Sequence, residues 1–319
     1  MNGMSPSSPL VFLAGPLRSG STLLTLMLDR HPRVTAPGEF DFLFDALGTD
    51  GGVRAAQRLT AAELDDQLSV HRGYLAASER YDAEGTSLER TRKFVAKYHQ
   101  DGMSRLLCLH RNFVSAHELF PEARFIHLLR DPRDCAKSAV AIGFAGNLRY
   151  GLDPWLDSET SWDRLRPRLP PDQFIEVRYE ELVSDPMGEL TRICTFLGLD
   201  FEPRMLDLSA TTYDTPSARF ANQWRRSMSS LDIEVVEQRA GSFMRARGYE
   251  PVGAQLKLPM SRRPAALWLQ NLLSRHQRRI RLFGCSLWLQ EMVSRRLGLR
   301  AWSREVQLRT HPIINRTLK

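Results

Sequence analysis

Between an apolar run and an amphipathic one, Gly15-Pro-Leu-Arg-Ser-Gly-Ser-Thr22 restricts this chain more than any other stretch. Leu10-Val-Phe-Leu-Ala14 suits a buried strand, and Ser21–Asp29 has the spacing of a helix. A strand, a glycine-bearing turn and a helix N-terminus together make an anion site, because unpaired N–H groups and the helix dipole face the same point. The spacing is that of a nucleotide-binding P-loop, G-x-x-x-x-G-K-[ST], whose lysine reaches the β- and γ-phosphates. Here both glycines and Thr22 are in register, but Ser21 stands where the lysine belongs. The loop is expected to hold a phosphate-like group without the cation on which nucleoside triphosphate hydrolysis relies.

The rest of the chain supports an α/β sheet protein. Arg105-Leu-Leu-Cys-Leu109, Arg124-Phe-Ile-His-Leu-Leu129 and Phe174-Ile-Glu-Val177 are further candidate strands. Helical patterns separate them, including a stretch from the Thr60/Glu63 capping pair through about Ser78, and another at Lys93–His99. His31–Gly38 reads as a loop punctuated by proline and glycine, and Glu39–Leu47 as a short helix. Alternation of strands and helices implies right-handed crossovers, a parallel sheet flanked by helices, and ligands at the carboxyl ends of the strands.

The 319 residues are 42% hydrophobic and 25% charged, and no apolar run approaches the roughly 18 residues of a membrane span. The N-terminus lacks the basic and apolar blocks of a signal peptide, so a cytoplasmic protein is expected. Cys108, Cys135, Cys194 and Cys285 are widely spaced and read as free thiols. No histidine spacing suits a metal, so none is expected. The net charge of +7 is concentrated at one end: residues 255–319 hold 14 Lys/Arg and 2 Asp/Glu, whereas residues 1–254 are net acidic. The basic balance therefore does not point to nucleic acid as a partner of the main domain.

This division places a main domain at residues 1–254 and a basic helical extension at 255–319. The extension contains an echo, Leu267-Trp-Leu-Gln-Asn-Leu-Leu-Ser-Arg275 repeated as Leu287-Trp-Leu-Gln-Glu-Met-Val-Ser-Arg295. Two amphipathic helices turned near Gly284 are expected. Either their Leu/Trp faces pack on the main domain, or they meet an anionic membrane or an acidic substrate.

Arg18-Ser-Gly-Ser-Thr-Leu-Leu24 resembles the 5′-phosphosulfate loop, R-S-G-[ST]-T-L-[LM], of sulfotransferases that use 3′-phosphoadenosine-5′-phosphosulfate (PAPS). Arg130-Asp-Pro-Arg-Asp-Cys-Ala-Lys-Ser138 resembles their 3′-phosphate motif, R-D-P-R-x-x-x-x-S. Tyr179-Glu-Glu-Leu-Val-Ser-Asp-Pro186 with Phe196-Leu-Gly-Leu199 is similar to a third family stretch, and Ser217…Trp224 to a fourth. The likeness covers about residues 10–230 and implies a P-loop-like α/β fold.

The resemblance also implies a function: sulfuryl transfer from PAPS to an acceptor hydroxyl, with PAP released. By it, Arg18, Ser19, Gly20, Ser21, Thr22 and Leu23 hold the 5′ end of the donor and Arg130 and Ser138 its 3′-phosphate. Tyr179 lines the adenine pocket, and Ser217 lies near the 5′ end. Gly38-Glu39 resembles the Gly-Glu that carries the catalytic carboxylate in tyrosylprotein sulfotransferases, which makes Glu39 the candidate base. His110 is the rival, because small-molecule sulfotransferases use a histidine after this same strand. Arg18 is one candidate cation. Arg111 is the other, standing where the family places a lysine in a K-x-P setting. A P-loop kinase or NTPase and a non-catalytic nucleotide binder remain as alternatives.

Overall fold

All five residues of β1 (Leu10–Ala14) are buried, and they alternate between two hydrophobic layers. Leu10, Phe12 and Ala14 face one layer with Phe44, Phe120 and Phe125; Val11 and Leu13 face the other with Leu24 and Met27. A strand buried on both faces is the signature of the centre of a parallel sheet. The computed structural model bears this out, describing residues 9–45, 60–82, 84–211, 213–253 and 256–317. The sheet is parallel throughout, in the order β2–β3–β1–β4–β5, with β2 (Val34–Glu39), β3 (Ser104–Leu109), β4 (Arg124–Leu129) and β5 (Phe174–Arg178).

Helices fill the crossovers. The first half carries α1 (Ser21–Asp29), α2 (Asp41–Asp45), α3 (Ala61–Leu68), α4 (Arg72–Ala76), α5 (Ser87–Ala96) and α6 (Phe113–Leu119). α7 (Pro132–Ala141), α8 (Leu148–Gly151), α9 (Asp153–Leu165), α10 (Tyr179–Ser184) and α11 (Pro186–Leu197) follow. The chain continues through α12 (Trp224–Ser227), α13 (Ser230–Ala246), α14 (Pro264–Arg296) and α15 (Arg300–Thr317). Among the described residues, no helix is long and apolar enough to cross a membrane.

Three segments differ from expectation. The segment expected to be a loop up to Gly38 is instead β2, with Glu39 as its last residue. The short helix expected over Glu39–Leu47 is present from Asp41 as α2, and residues 46–47 lie outside the described residues. Pro37 and Gly38 read as breakers, but a sheet edge tolerates a missing N–H, and the register slips between Thr35 and Gly38 to absorb them. The helix expected from residue 60 to 78 is broken after Leu68 and resumes at Arg72. Its Thr60/Glu63 capping box is present. The helix expected at Lys93–His99 starts earlier, where a second capping box, Thr86 with Glu89, begins α5.

α14 turns at Gly284, whose φ of 74° and ψ of 162° are not helical. His276 Nδ1 accepts from Trp288 Nε1 at 3.1 Å and Arg279 pairs with Glu291 at 3.3 Å. Residues twelve apart in a straight helix would be about 18 Å apart along its axis, so the two arms fold against each other. The repeat turns equivalent residues inward: Leu267 and Asn271 in the first arm, Leu287 and Glu291 in the second, are all buried. Trp268 does not follow its neighbour. It is 55% exposed, against the expectation that the Trp and Leu side chains share one packed face.

Candidate functional site

The carboxyl ends of all five strands converge on one edge, and the sequence-marked residues follow them. After β1 the chain turns through Gly15–Gly20 into α1, where Gly20 is the N-cap with φ of 97° and no side chain caps the first turn. Glycine is required twice over at this position. Its φ lies in the left-handed region, and a Cβ there would fall 2.4 Å from the ring of Tyr179. The first-turn N–H groups of α1 are thus left without a side-chain cap, and no acidic residue stands beside them.

Arg130 leaves the end of β4 and closes over this loop. Its Nη1 donates to the Arg18 carbonyl at 3.0 Å, and its guanidinium lies 4.0 Å from the centre of the Tyr179 ring. Arg18 Nε donates to Ser138 Oγ at 2.9 Å, joining the loop to α7. Arg18, Arg130 and Ser138, 120 residues apart at the extremes, therefore meet in one place. Two buried polar atoms here have no partner: Ser19 Oγ and Arg130 Nε. Buried donors are almost always satisfied, so this unpaired pair within the same loop and strand end suits a ligand of complementary, anionic character.

The neighbouring motif residues build the frame. Asp131 caps α7 by accepting from Arg133 N at 2.9 Å and also pairs with the Arg133 side chain. Arg133 in turn pairs with Glu237 and lies 3.6 Å over the Trp224 ring. Asp134 accepts from the backbone of Gln223 and Trp224 at 3.1 and 2.7 Å. Arg130, Ser138 and Cys135 of the motif turn to the loop, Cys135 Sγ lying 3.7 Å from the Arg18 carbonyl.

On the other side of the loop, Ser21 Oγ lies 3.2 Å from His110 Nε2. His110 is buried at the end of β3 and held by Asp41, whose carboxylate accepts from the His110 backbone N–H at 2.8 Å and from Nδ1 at 2.7 Å. That bond places the Nδ1 proton towards Asp41 and turns Nε2 towards Ser21. Burial disfavours the imidazolium most, but Cys108 and Asp41 outweigh it and hold His110 well above its ordinary value. In its charged form His110 donates through Nε2 to Ser21 Oγ, at the position the P-loop lysine would have occupied.

Other expected residues are placed differently. Arg111 is clamped by both nitrogens to Asp45, which Asn112 also contacts at 2.9 Å. Burial pushes the Asp45 carboxyl up, but His71 and Arg111 hold it below the usual carboxylate range. Arg111 thus has a carboxylate partner, and its side chain stays part-exposed. Leu23 is buried in the layer beneath the sheet, so its side chain belongs to the core, while Thr22 is exposed on the first turn of α1. Tyr179 backs the loop and stacks on Arg130. Ser217 caps a local turn by accepting from Arg219 N, and among the described residues no hydrogen bond joins it to Arg18, Arg130 or Ser138. Glu39 is exposed at the tip of β2, paired in register with Cys108, two residues before His110.

Asp41 escaped the sequence reading. Its one signal was an isolated carboxylate inside Phe40-Asp-Phe-Leu-Phe44, a run too apolar to leave an acid without a buried partner.

A sulfotransferase family model matches residues 9–203. An omega-hydroxy-beta-dihydromenaquinone-9 sulfotransferase of Mycobacterium tuberculosis is 30% identical over 153 residues, covering 42% of this chain and 37% of that protein. Protein-tyrosine sulfotransferase 2 of Gallus gallus is 27% identical over 220 residues, covering 63% of this chain and 54% of that one. The chain thus spans little more than a third of the first relative and about half of the second. Among solved structures, a sulfotransferase domain from the curacin biosynthetic pathway is 18% identical and superposes with a TM-score of 0.50 over 80% of this chain and all of that domain. That likeness concerns the fold.

Proposed function

Because the chain belongs to the sulfotransferase family, we propose that it transfers the sulfuryl group of PAPS to an acceptor hydroxyl and releases PAP. The observation that carries this is the meeting of Arg18, Arg130 and Ser138 around the unpaired Ser19 Oγ and Arg130 Nε. These groups fit a donor with anions at two ends. The α1 N-terminus and Ser19 would take the 5′ end, and the Arg130 fork with Ser138 the 3′-phosphate.

When bound, PAPS supplies the sulfuryl group, whose bond to the phosphate oxygen breaks as the acceptor oxygen joins sulfur. Glu39 takes the acceptor proton; it is the exposed carboxylate at the strand tip. His110 serves as the cation rather than the base, because Asp41 keeps it charged and aims Nε2 at Ser21. Arg18 adds positive charge from the loop. Fixed donors of this kind stabilise developing negative charge without reorganising, which is where most of the rate in such transfers originates.

The acceptor class is a hydroxyl compound; the relatives' names include a dihydromenaquinone derivative and protein tyrosine. Residues 1–254 form the transferase domain in this scheme. A reducing, cytoplasmic setting suits four cysteines that are all free, three of them buried. A kinase or NTPase is disfavoured by Asp131: an acid after β4 would be needed for magnesium, but this one is spent on Arg133.

Thermal shift tests the proposal. PAP should stabilise the protein without magnesium by about 2.7 kcal/mol at about a hundred times its Kd, and magnesium-ATP by much less. A larger response to magnesium-ATP than to PAP would overturn it.

A further inference from the structure

The first arm of α14 has two opposite faces. One is docked: Asn271 Oδ1 accepts from Gly146 N at 2.7 Å, the Leu267 carbonyl accepts from Asn147 Nδ2 at 2.7 Å, and Arg278 Nη2 donates to the Ile142 carbonyl at 2.6 Å. Ile142 closes α7, so a guanidinium sits at that helix's negative end. Gly143 makes the approach possible, since a Cβ there would collide with Arg278. The other face carries Trp268, Leu269, Leu272 and Leu273, exposed by 55%, 50%, 38% and 51%. At 3.6 residues per turn these four fall within an arc of about 140° centred opposite the docked line.

Four neighbouring large apolar side chains in water demand an occupant. Charge indicates which. Residues 264–283 hold four arginines and no acid, within a segment of 14 basic and 2 acidic residues. A second copy would bring a like-charged tail against this one, and its repulsion opposes that pairing. An apolar stripe bearing tryptophan and bordered by arginine is instead the pattern of a helix lying in a lipid headgroup layer.

We propose that this arm docks the protein on an anionic membrane surface, with Trp268, Leu269, Leu272 and Leu273 entering the interface and the exposed Arg275 at the edge of this stripe meeting lipid phosphates. The site is separate from the donor loop and does not depend on the transfer activity. It ties α7, which carries Ser138, to the bilayer through Ile142 and Gly146.

The test is sedimentation of the full chain with vesicles of phosphatidylcholine alone or mixed with phosphatidylglycerol, at low and high salt. Binding should require phosphatidylglycerol and weaken as salt rises. The double variant Trp268→Ser, Leu272→Ser should bind at least about tenfold more weakly while its melting temperature and PAP response stay unchanged. In a second measurement, brominated lipid should quench tryptophan fluorescence in the wild type, and Trp268→Phe should keep binding but lose that quenching. No binding to anionic vesicles, or binding that the double variant does not weaken, overturns the proposal. So does equal retention on polyglutamate and vesicles, which would reveal charge alone. A dimer lost in the double variant would identify a second copy as the occupant, and likewise overturn it.

Discussion

The donor loop and the C-terminal arm are both basic, yet they are built in opposite ways. Around the loop, charge is buried or half-buried and tied: Arg130 to the Arg18 carbonyl, Arg18 to Ser138, His110 to Asp41 and Arg133 to Asp131 and Glu237. On the arm, the outward face is apolar and exposed, and the contacts inward are one buried leucine with a few hydrogen bonds. A preorganised cation pays its ordering cost at folding and is selective; an exposed amphipathic face is adaptable and binds a surface rather than a molecule.

The largest expected effect tests the exposed element that belongs to the tied region. Glu39→Gln should lower turnover by roughly 10²–10⁴ while leaving PAP affinity within a few-fold, the usual contribution of a general base. Steady-state rates and a PAP titration check it. If His110→Asn reproduces that loss with the proton-inventory behaviour of a base and Glu39→Gln does not, the two assignments exchange.

Next comes Arg130→Ala, which should weaken PAP by about 2–5 kcal/mol, measured by calorimetry, because it removes a half-buried fork and leaves an anion unpaired. A loss below tenfold would mean that the 3′ end is held elsewhere.

The His110–Asp41 pair gives a pH signature. The folded value of His110 lies above its unfolded one, so its stabilisation is complete below about pH 6.5 and is lost as pH rises through the folded value. Each unit of elevation corresponds to about 1.4 kcal/mol. His127, buried against Glu159, is also raised and contributes in the same direction. Asp41→Asn should therefore reduce, not abolish, the fall in melting temperature across this range. An unchanged profile would show that Asp41 does not hold the proton.

The smallest effect concerns the arm itself. Cutting after Gly253 should leave a folded core that binds PAP, with a loss of a few kcal/mol for Leu267 and the hydrogen bonds around it. Melting temperature and PAP response measure it. A molten product would show that the extension belongs to the core and would erase the contrast between the two regions.

The turn after β1 and the helix start after β4 were legible because their residues are local in sequence: strand, loop and cap lie within about twenty positions, and each motif carries its own geometry. β2 was not, since an edge strand with Pro37 and a register slip has the local chemistry of a loop. Nor was the outward turn of Trp268, which depends on which side of the helix finds Gly146 and Asn147.

The amino-acid sequence by itself determined the parallel α/β plan, the lysine-less loop and the arginine that closes on it, because burial pattern and backbone geometry are read over short windows. Only the tertiary structure decided which charges are paired. Asp41 reaches His110 across 69 residues, and Arg111 meets Asp45 across 66. Pairing between a carboxylate and a cation is a matter of distance in space, and no spacing along the chain records it.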